Sequence, residues 1–382
     1  MKGRTFILAL LLVGIMALIP IQSNAGDTIK VGIIGPMTGP QSYDIGCTMR
    51  DGARLAMEEI NAKGGIAGKK FEWIVIDDEA SPAKSVAGAK KLIFRDKINM
   101  LIGPANSGCA LAVGKITVPN KIVSVTQGQR ADLTTPDRDY VFRSSITDIE
   151  IAKKMMMFVG DKYKKFAIIH DTTGYGEHWY QTVKEKLAQR GITPVADESF
   201  EIYTPDLTPQ VLRIKESGAE ILVWLSVGAD VGTLAKAEKR IGLDIPHLGT
   251  NGFGGVSVVD LGGDDVNGFI FPDTVDVEKK QWVEFRDKYR KRFGYPKLIT
   301  NHPPAQAYDA VCLLAQALER TNGEAGEALK NAIEAGVSID GATAKVGTGG
   351  ASWSKTKHDA MVAEQLAMIM IQDRQFVSWV GK

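Results

Sequence analysis

Polar side chains suited to binding a small carboxylic acid follow two short apolar strands of the sequence. Ser107 comes shortly after Met100–Ile102, at a predicted helix start, where a hydroxyl and free backbone N–H groups favour an anion. Thr126 and Gln127 follow the predicted strand Ile122–Val125. The alternatives are an ordinary helix cap for Ser107 and simple loop polarity for the other two. On the residues alone, the helix cap is the simpler interpretation of Ser107.

Three further candidates lie in turns near other strands. Tyr175 follows Phe166–Ile169 in a glycine-rich turn, where an aromatic ring can close over a ligand, although a surface aromatic is the alternative. Ser226 follows Ile221–Leu225, and so small a side chain would leave room for a larger ligand. Tyr43 lies in the turn after the first strand, where half-buried loop packing is an equal alternative.

Alternating apolar strands and amphipathic helices must position these residues. Several strands are continuous apolar runs, which is typical of parallel sheets buried on both faces. The pattern starts afresh near residue 147, and the chain is too long for one ordinary core. The sequence therefore predicts an α/β protein with two doubly wound, Rossmann-like domains. The main predicted strands are 29–34, 71–76, 100–102, 122–125, 166–169, 221–225, 268–271, 366–371 and 376–380.

The first 25 residues are predicted to form an export signal that is cleaved after Ala25. Lys2 and Arg4 precede an apolar run of about 16 residues, and small residues follow it. An uncleaved membrane anchor is the alternative, but the run is short for a span. Without Lys2 and Arg4, the number of Lys and Arg falls from 46 to 44, against 45 Asp and Glu. With no basic block, nucleic acid is not an expected partner.

The sequence lacks the common catalytic and cofactor motifs. It contains no phosphate-binding G-x-x-x-x-G-K-[ST] loop, no G-x-S-x-G nucleophile turn and no H-E-x-x-H metal motif. We therefore expect a binding protein without a cofactor or metal, and not an enzyme. An exported α/β enzyme remains the alternative that an observed turnover would support.

Three cysteines allow at most one intramolecular disulfide. Cys47 and Cys109 each lie about one turn into a predicted helix, so a bridge between them near the cleft is possible, but spacing alone does not fix their distance. Cys312 lies in an apolar helix and is predicted to be a buried free thiol.

Four segments in order resemble the periplasmic solute-binding proteins of branched-chain amino acid ABC transporters, the leucine/isoleucine/valine-binding family. The segments are GPMTGP with GARLAMEEINAKGGI in 35–66, LIGPANSG at 101–108, AIIHDTTGYGE at 167–177 and AQAYDAV at 305–311. The resemblance implies two α/β lobes joined by three crossing strands, with the ligand between them. It places 26–145 plus 276–352 in lobe one, and 146–275 plus 353–382 in lobe two.

The resemblance also implies roles for the candidate residues. Ser107 would hold the ligand carboxylate, the loop with Thr126 and Gln127 would contact the carboxylate and amine, and Tyr175 would close over the ligand. Tyr43 falls near the position of an aromatic wall, within one residue.

Asn251 departs from the family pattern, because relatives that bind amino acids usually carry an acid there to pair with the ligand ammonium. An amide loses most of that charge-assisted bond, roughly 1.5–3 kcal/mol. A carboxylate without an amine is therefore a real candidate, unless Asp230 or Glu177 supplies the missing charge. A simple turn residue is the alternative interpretation of Asn251.

The sequence thus predicts a periplasmic substrate-binding subunit that captures an amino acid or related small carboxylate and delivers it to an ABC permease in the inner membrane. Two alternatives stay open: a sensor of the same fold that signals to a partner, and a receptor for aromatic or aliphatic carboxylates without an amine.

Overall fold

The computed structural model describes residues 28–39, 42–202, 204–226, 230–295 and 302–380. Its first half forms a five-stranded parallel sheet with the order β2-β1-β3-β4-β5. The elements in chain order are β1 (Ile29–Gly35), α1 (Cys47–Ala62), β2 (Phe71–Asp77), α2 (Pro82–Lys90), β3 (Met100–Ile102), α3 (Ser107–Thr117), β4 (Val123–Thr126) and β5 (Val141–Arg143).

A seven-stranded sheet follows, with the order β14-β13-β10-β9-β8-β6-β7, in which the pairings of β13 with β10 and β14 are antiparallel. The remaining elements are α4 (Asp148–Val159), β6 (Phe166–Asp171), α5 (Gly174–Ala188), β7 (Ala196–Phe200), α6 (Thr208–Glu216), β8 (Ile221–Leu225), α7 (Val231–Ile241), β9 (His247–Gly249), α8 (Val256–Gly262), β10 (Ile270–Asp273), α9 (Lys280–Phe293), α10 (His302–Arg320), α11 (Glu327–Glu334), β11 (Val337–Ile339), β12 (Ala351–Trp353), β13 (Ala367–Gln372) and β14 (Gln375–Ser378). Strands β11 and β12 form a small antiparallel pair.

Both large sheets are buried on both faces, which explains the continuous apolar runs of their strands. In β1, Ile33 packs in the core that includes side chains of α1 and α10, whereas Ile34 packs on the opposite face among side chains of α2 and α3. In β8, Val223 and Trp224 are likewise fully buried in different clusters. The predicted α/β architecture with two doubly wound sheets is confirmed.

The predicted strands are present, and their ends differ by one or two residues. Asp373 and Arg374 form the tight turn between β13 and β14, and both have positive φ, at 48° and 58°. The sequence did not indicate β7, because this strand at the sheet edge carries alternating half-buried and exposed residues. It also gave no sign of β11 and β12, which are three residues each.

The chain passes between the two sheets three times: after β5, after β10, and between β12 and β13. Helices α9 and α10 return to the first sheet, since both pack against α1. Buried charged groups fasten the segments near these passages. Lys279 is almost fully buried and donates from Nζ to the Thr343 carbonyl, 2.7 Å away. Asp309 accepts from the backbone N–H groups of Ala342 and Thr343 at 3.0 and 2.8 Å.

The three cysteines are free thiols in the structure, and the bridge considered for Cys47 and Cys109 is not formed. Their side chains have different neighbours: the Cys47 thiol donates to the Met37 carbonyl at 3.5 Å, whereas Cys109 is buried beside Ser85 and Asp78. Cys312 is half-buried rather than fully buried. Within the described ranges, we find no helix that combines the length and apolarity needed to cross a bilayer.

Candidate functional site

A cavity of about 450 Å³ lies where loops of both sheets meet. Its walls come from the segments that follow β3, β4, β6 and β9, which are carboxyl ends of parallel strands, together with the starts of α4 and α10. Open α/β sheets bind ligands at such edges, and the volume lies within the range of small-molecule sites. Ser107, Gln127, Tyr175 and Asn251 line the cavity.

Ser107 is the first residue of α3 and Asn106 takes the N-cap position, so Ser107 does not have the ordinary capping role that was its alternative interpretation. Its Oγ accepts hydrogen bonds from the backbone N–H groups of Gln129 and Arg130, at 3.0 and 3.3 Å. With its oxygen lone pairs engaged in this way, the hydroxyl can donate its hydrogen. The first N–H groups of a helix also lack intrahelical acceptors. This corner of the cavity therefore suits a carboxylate.

Glycine at position 128 allows the loop after β4 to approach α3 this closely. A Cβ there would lie 3.0 Å from Cα of Ser107 and 2.8 Å from Cδ1 of Leu133, both too close for an undistorted contact. Thr126 holds the same loop: its Oγ1 donates to the Pro104 carbonyl at 2.7 Å and accepts from Gly128 N at 2.9 Å. Thr126 is almost fully buried and does not line the cavity, so it supports the loop from behind.

Gln127 lines the cavity and also connects two elements. Its Nε2 donates to the Pro303 carbonyl at the start of α10, 2.7 Å away, and its own carbonyl accepts from the Ser145 hydroxyl at 2.9 Å. Ser226 is fully buried and does not line the cavity. The side chain of Tyr43 lies outside the described residues.

Tyr175 stands in the first turn of α5, which Thr173 caps by accepting from the N–H groups of Tyr175 and Gly176. Its hydroxyl is hydrogen-bonded to Oγ1 of Thr250, at 3.0 Å. Burial raises the pKa of Tyr175 to about 12. The ring therefore offers the cavity a neutral aromatic wall with a fixed orientation.

Asn251 is almost fully buried and bonds directly to the opposite wall. Its Oδ1 accepts from Nε2 of Gln129, 3.0 Å away. Sequence reasoning missed Gln129, although its place directly after the loop Ser124–Gly128 was a usable signal. A second contact joins the loops of the two sheets, because Oδ1 of Asp44 accepts from Val256 N at 3.0 Å.

Among the residues that the structure describes, two carboxylates line the cavity, and neither was predicted. Asp148, the first residue of α4, accepts from Ile149 N at 2.8 Å and is hydrogen-bonded to Nε2 of His178. Asp44 accepts from Val256, as described above. The two acids suggested earlier as partners for a ligand amine, Asp230 and Glu177, do not line it. In the described part of the chain, no cluster of three or more His, Cys, Asp or Glu side chains is arranged to hold a metal ion.

The chain matches the family model described as "Periplasmic binding protein" over residues 28–367. The leucine-, isoleucine-, valine-, threonine-, and alanine-binding protein of Pseudomonas aeruginosa is 26% identical over 318 residues, covering 82% of this chain and 84% of that protein. These matches extend over most of the chain.

Solved structures show the same fold. The branched-chain amino acid transporter substrate binding protein of Streptococcus pneumoniae, in complex with isoleucine, has a TM-score of 0.78 at 22% identity, covering 92% of this chain and 98% of that one. A solute binding protein of an ABC transporter from Rhodopseudomonas palustris, in complex with 3,4-dihydroxy benzoic acid, also has a TM-score of 0.78 at 22% identity, covering 93% and 97%. The chain thus belongs to the periplasmic binding protein family and has the two-lobed type I fold of these solved structures.

Proposed function

We propose that this protein is the substrate-binding subunit of an ABC importer, which captures a small carboxylic acid between its lobes and delivers it to a permease in the inner membrane. The observation that carries this proposal is the cavity, in which an anion-binding corner at Ser107 faces Tyr175 and Asn251 on the other sheet. The protein would act by binding alone and not as an enzyme.

The two-sided cavity supports a closing mechanism. A ligand that touches both walls stabilises only the arrangement in which the walls are close together, so closure follows occupancy. Moving a hinge from mostly open to mostly closed takes roughly 5.5 kcal/mol of differential binding. Charge-assisted hydrogen bonds at the start of α3 and burial of an apolar ligand body are interactions that can supply this differential binding free energy.

The proposed location is the periplasm, after cleavage of the signal behind Ala25. The proposed lobes are 26–145 plus 276–352, and 146–275 plus 353–382. Packing of α9 and α10 on α1 supports returning 276–352 to lobe one, and pairing of β13 with β10 supports placing the tail in lobe two.

The ligand is proposed to be an amino acid or a related carboxylate. The names of the relatives support amino acids, since the protein from Pseudomonas aeruginosa is named for five of them. The neutral Asn251 and the neighbour in complex with 3,4-dihydroxy benzoic acid support carboxylates without an amine.

Calorimetric titration of the mature protein with a panel of both ligand classes tests the proposal. A bound acid should lose about tenfold or more in affinity in Ser107→Ala, because a hydrogen bond to a charged group contributes roughly 1.5–3 kcal/mol. The control is Ser217→Ala, which removes a hydroxyl that donates to Ile214 O at the end of α6, away from the cavity. If no carboxylate binds, or if Ser107→Ala binds normally, the proposal is wrong.

A further inference from the structure

A pair of amides, Gln129 on the wall of Ser107 and Asn251 on the opposite wall, has hydrogen-bonding capacity that is only partly used. Nε2 of Gln129 donates to Oδ1 of Asn251 at 3.0 Å, which leaves Oε1 of Gln129 and Nδ2 of Asn251. Both of these atoms are buried and have no hydrogen-bond partner among the described residues. Both residues line the cavity. Buried polar groups are normally paired, so this pair is suited to a ligand group that satisfies both atoms.

The two unpartnered atoms are an acceptor oxygen and a donor nitrogen. Turning both amides over would exchange the roles of their oxygen and nitrogen atoms, and the pair would still offer one acceptor and one donor. The complementary ligand group is one that donates and accepts at the same time. A hydroxyl does both, whereas an ammonium has three donors and no acceptor. An ammonium would therefore leave the amide N–H donor unpaired in a buried position, which is unfavourable.

The amide pair itself carries no negative charge that would attract an ammonium. Of the two carboxylates that line the cavity, Asp148 already bonds to His178 and to Ile149 N, and Asp44 already accepts from Val256 N. The residue that faces Gln129 is the neutral Asn251. Among the described residues, neither of these carboxylates is hydrogen-bonded to the amide pair, so the pair itself offers an amino group a neutral acceptor instead of a charged one.

The position of the pair indicates where the hydroxyl belongs on the ligand. The backbone N–H of Gln129 donates to Oγ of Ser107 at 3.0 Å, so the residue that carries one of the two amides is anchored at the anion-binding corner. Since a glutamine side chain extends only a few bonds from its backbone, the ligand hydroxyl that reaches the amide pair belongs on a carbon close to the carboxylate at Ser107.

We propose that Gln129 and Asn251 form a subsite for a hydroxyl group, and that the protein's ligands are 2-hydroxy carboxylic acids in preference to the corresponding amino acids. This inference rests on the proposed function and narrows its ligand class. The hydroxyl donates to one amide oxygen and accepts from one amide N–H, while the bond between Gln129 and Asn251 is kept.

Matched probes test the subsite. The full mature protein is titrated calorimetrically with 2-hydroxy-4-methylpentanoate, with leucine and with 4-methylpentanoate, and then with the three corresponding 3-phenylpropanoates. Within each series, the three probes share one side chain and differ only in carrying a hydroxyl, an ammonium or a hydrogen at carbon 2. In at least one series, we expect the hydroxy acid to bind about tenfold or more tightly than both analogues, a difference of roughly 1.4 kcal/mol.

Asn251→Asp should change this ranking. A carboxylate at this position offers an ammonium a charged acceptor and repels an anionic ligand that lacks one, so affinity for the amino acid should rise relative to the hydroxy acid. The control is Asn120→Asp, which introduces the same charge at an exposed residue outside the cavity. Circular dichroism checks that the variants are folded, and the ranking in the unmodified protein tests the idea without any variant.

The outcomes separate this inference from the proposed function. If amino acids bind as tightly as hydroxy acids, or if Asn251→Asp leaves their ratio unchanged, the hydroxyl subsite is refuted while carboxylate capture stands. If no carboxylate of any series binds, both proposals are refuted.

Discussion

Arg143 provides the sharpest test of how the fold positions the ligand loop. Its side chain is fully buried at the end of β5. Its guanidinium donates to Asp359 Oδ1 at 2.7 Å, to the Gly128 carbonyl at 2.8 Å and to the Arg130 carbonyl at 2.7 Å. Those two carbonyls flank Gln129. A single cation therefore fixes the backbone that presents Gln129 to the cavity.

Replacing Arg143 by methionine keeps a long apolar side chain and removes every one of these donors. The buried Gly128 carbonyl costs about 1–3 kcal/mol when it loses its partner, and the part-buried Arg130 carbonyl costs less. Asp359 is one-third exposed, so water can solvate its carboxylate and its contribution is small. We expect the free energy of unfolding to fall by about 3 kcal/mol, which a domain of ordinary stability survives. Ligand affinity should fall as well, because the loop loses both anchors.

Urea unfolding followed by circular dichroism measures the stability, and calorimetry measures the affinity of any ligand found in the panel. Arg143→Lys serves as the conservative control, because lysine keeps the charge near Asp359 but cannot reach three acceptors with one planar fork. Compared with Arg143→Met, Arg143→Lys should therefore recover part of the lost unfolding free energy and a smaller part of the lost ligand affinity. If Arg143→Met unfolds at the same urea concentration as the unmodified protein, the role assigned to this residue is refuted.

Three other predictions follow from particular contacts. Tyr175→Phe removes the bond to Thr250, so ligand affinity should fall about fivefold. Because the pKa of Tyr175 is raised, the stabilising contribution of this phenol should persist below pH 10 and disappear towards pH 12. Ultraviolet titration of the phenolates, compared with Tyr175→Phe, checks the raised pKa. Burial raises the pKa of Cys109 to about 11, so this thiol should alkylate slowly in native protein at pH 8, while denatured protein titrates three thiols. Rapid labelling of Cys109 in the native protein, or a single thiol after denaturation, would contradict the structure. Asp44→Ala removes the bond to Val256 N and should enlarge the ligand-free protein in solution scattering, whereas an unchanged radius of gyration would show that this bond does not hold the loops together.

The strands were predictable wherever burial on both faces makes the sequence continuously apolar, as in β1 and β8. That signal is absent from β7, since an edge strand keeps polar side chains in solvent and its sequence Ala-Asp-Glu-Ser-Phe has no apolar run. The doubly wound arrangement was predictable for the same reason as the strands: alternating buried strands and amphipathic helices leave few ways to cover both faces.

The candidate site was predictable only in part. Ser107, Gln127, Tyr175 and Asn251 follow strands, and strand ends share one edge of a parallel sheet; the structure places all four in the cavity wall, while their contacts with a ligand stay predictions. Thr126 is the last residue of β4 and supports the loop instead.

The site residues that were missed are brought together by packing between distant segments, and such packing leaves no local signal in the sequence. Asp148 and His178 lie on α4 and α5, thirty residues apart, and meet because those helices pack together. Gln129 acquires its meaning only through Asn251, 122 residues further along the chain. Spacing within one segment cannot reveal such pairs.

The contacts between the two walls bear on how strongly a ligand must act. Hydrogen bonds already join the walls, from Gln129 to Asn251, from Val256 N to Asp44 and from Asp148 N to the Gln129 carbonyl. Each contributes roughly 1 kcal/mol to the closed arrangement. Without these bonds the ligand-free hinge would lie further towards the open arrangement, and a ligand would have to supply correspondingly more than the roughly 5.5 kcal/mol that moves a hinge from mostly open to mostly closed. A small acid that is held by Ser107 and the start of α3, and whose apolar body is buried, can supply roughly 5.5 kcal/mol, because charge-assisted hydrogen bonds are about twice as strong as neutral ones. The bonds between the walls thus lower the differential affinity that a small ligand must provide, while the unpaired amide atoms next to them make closure depend on what the ligand carries beside its carboxylate.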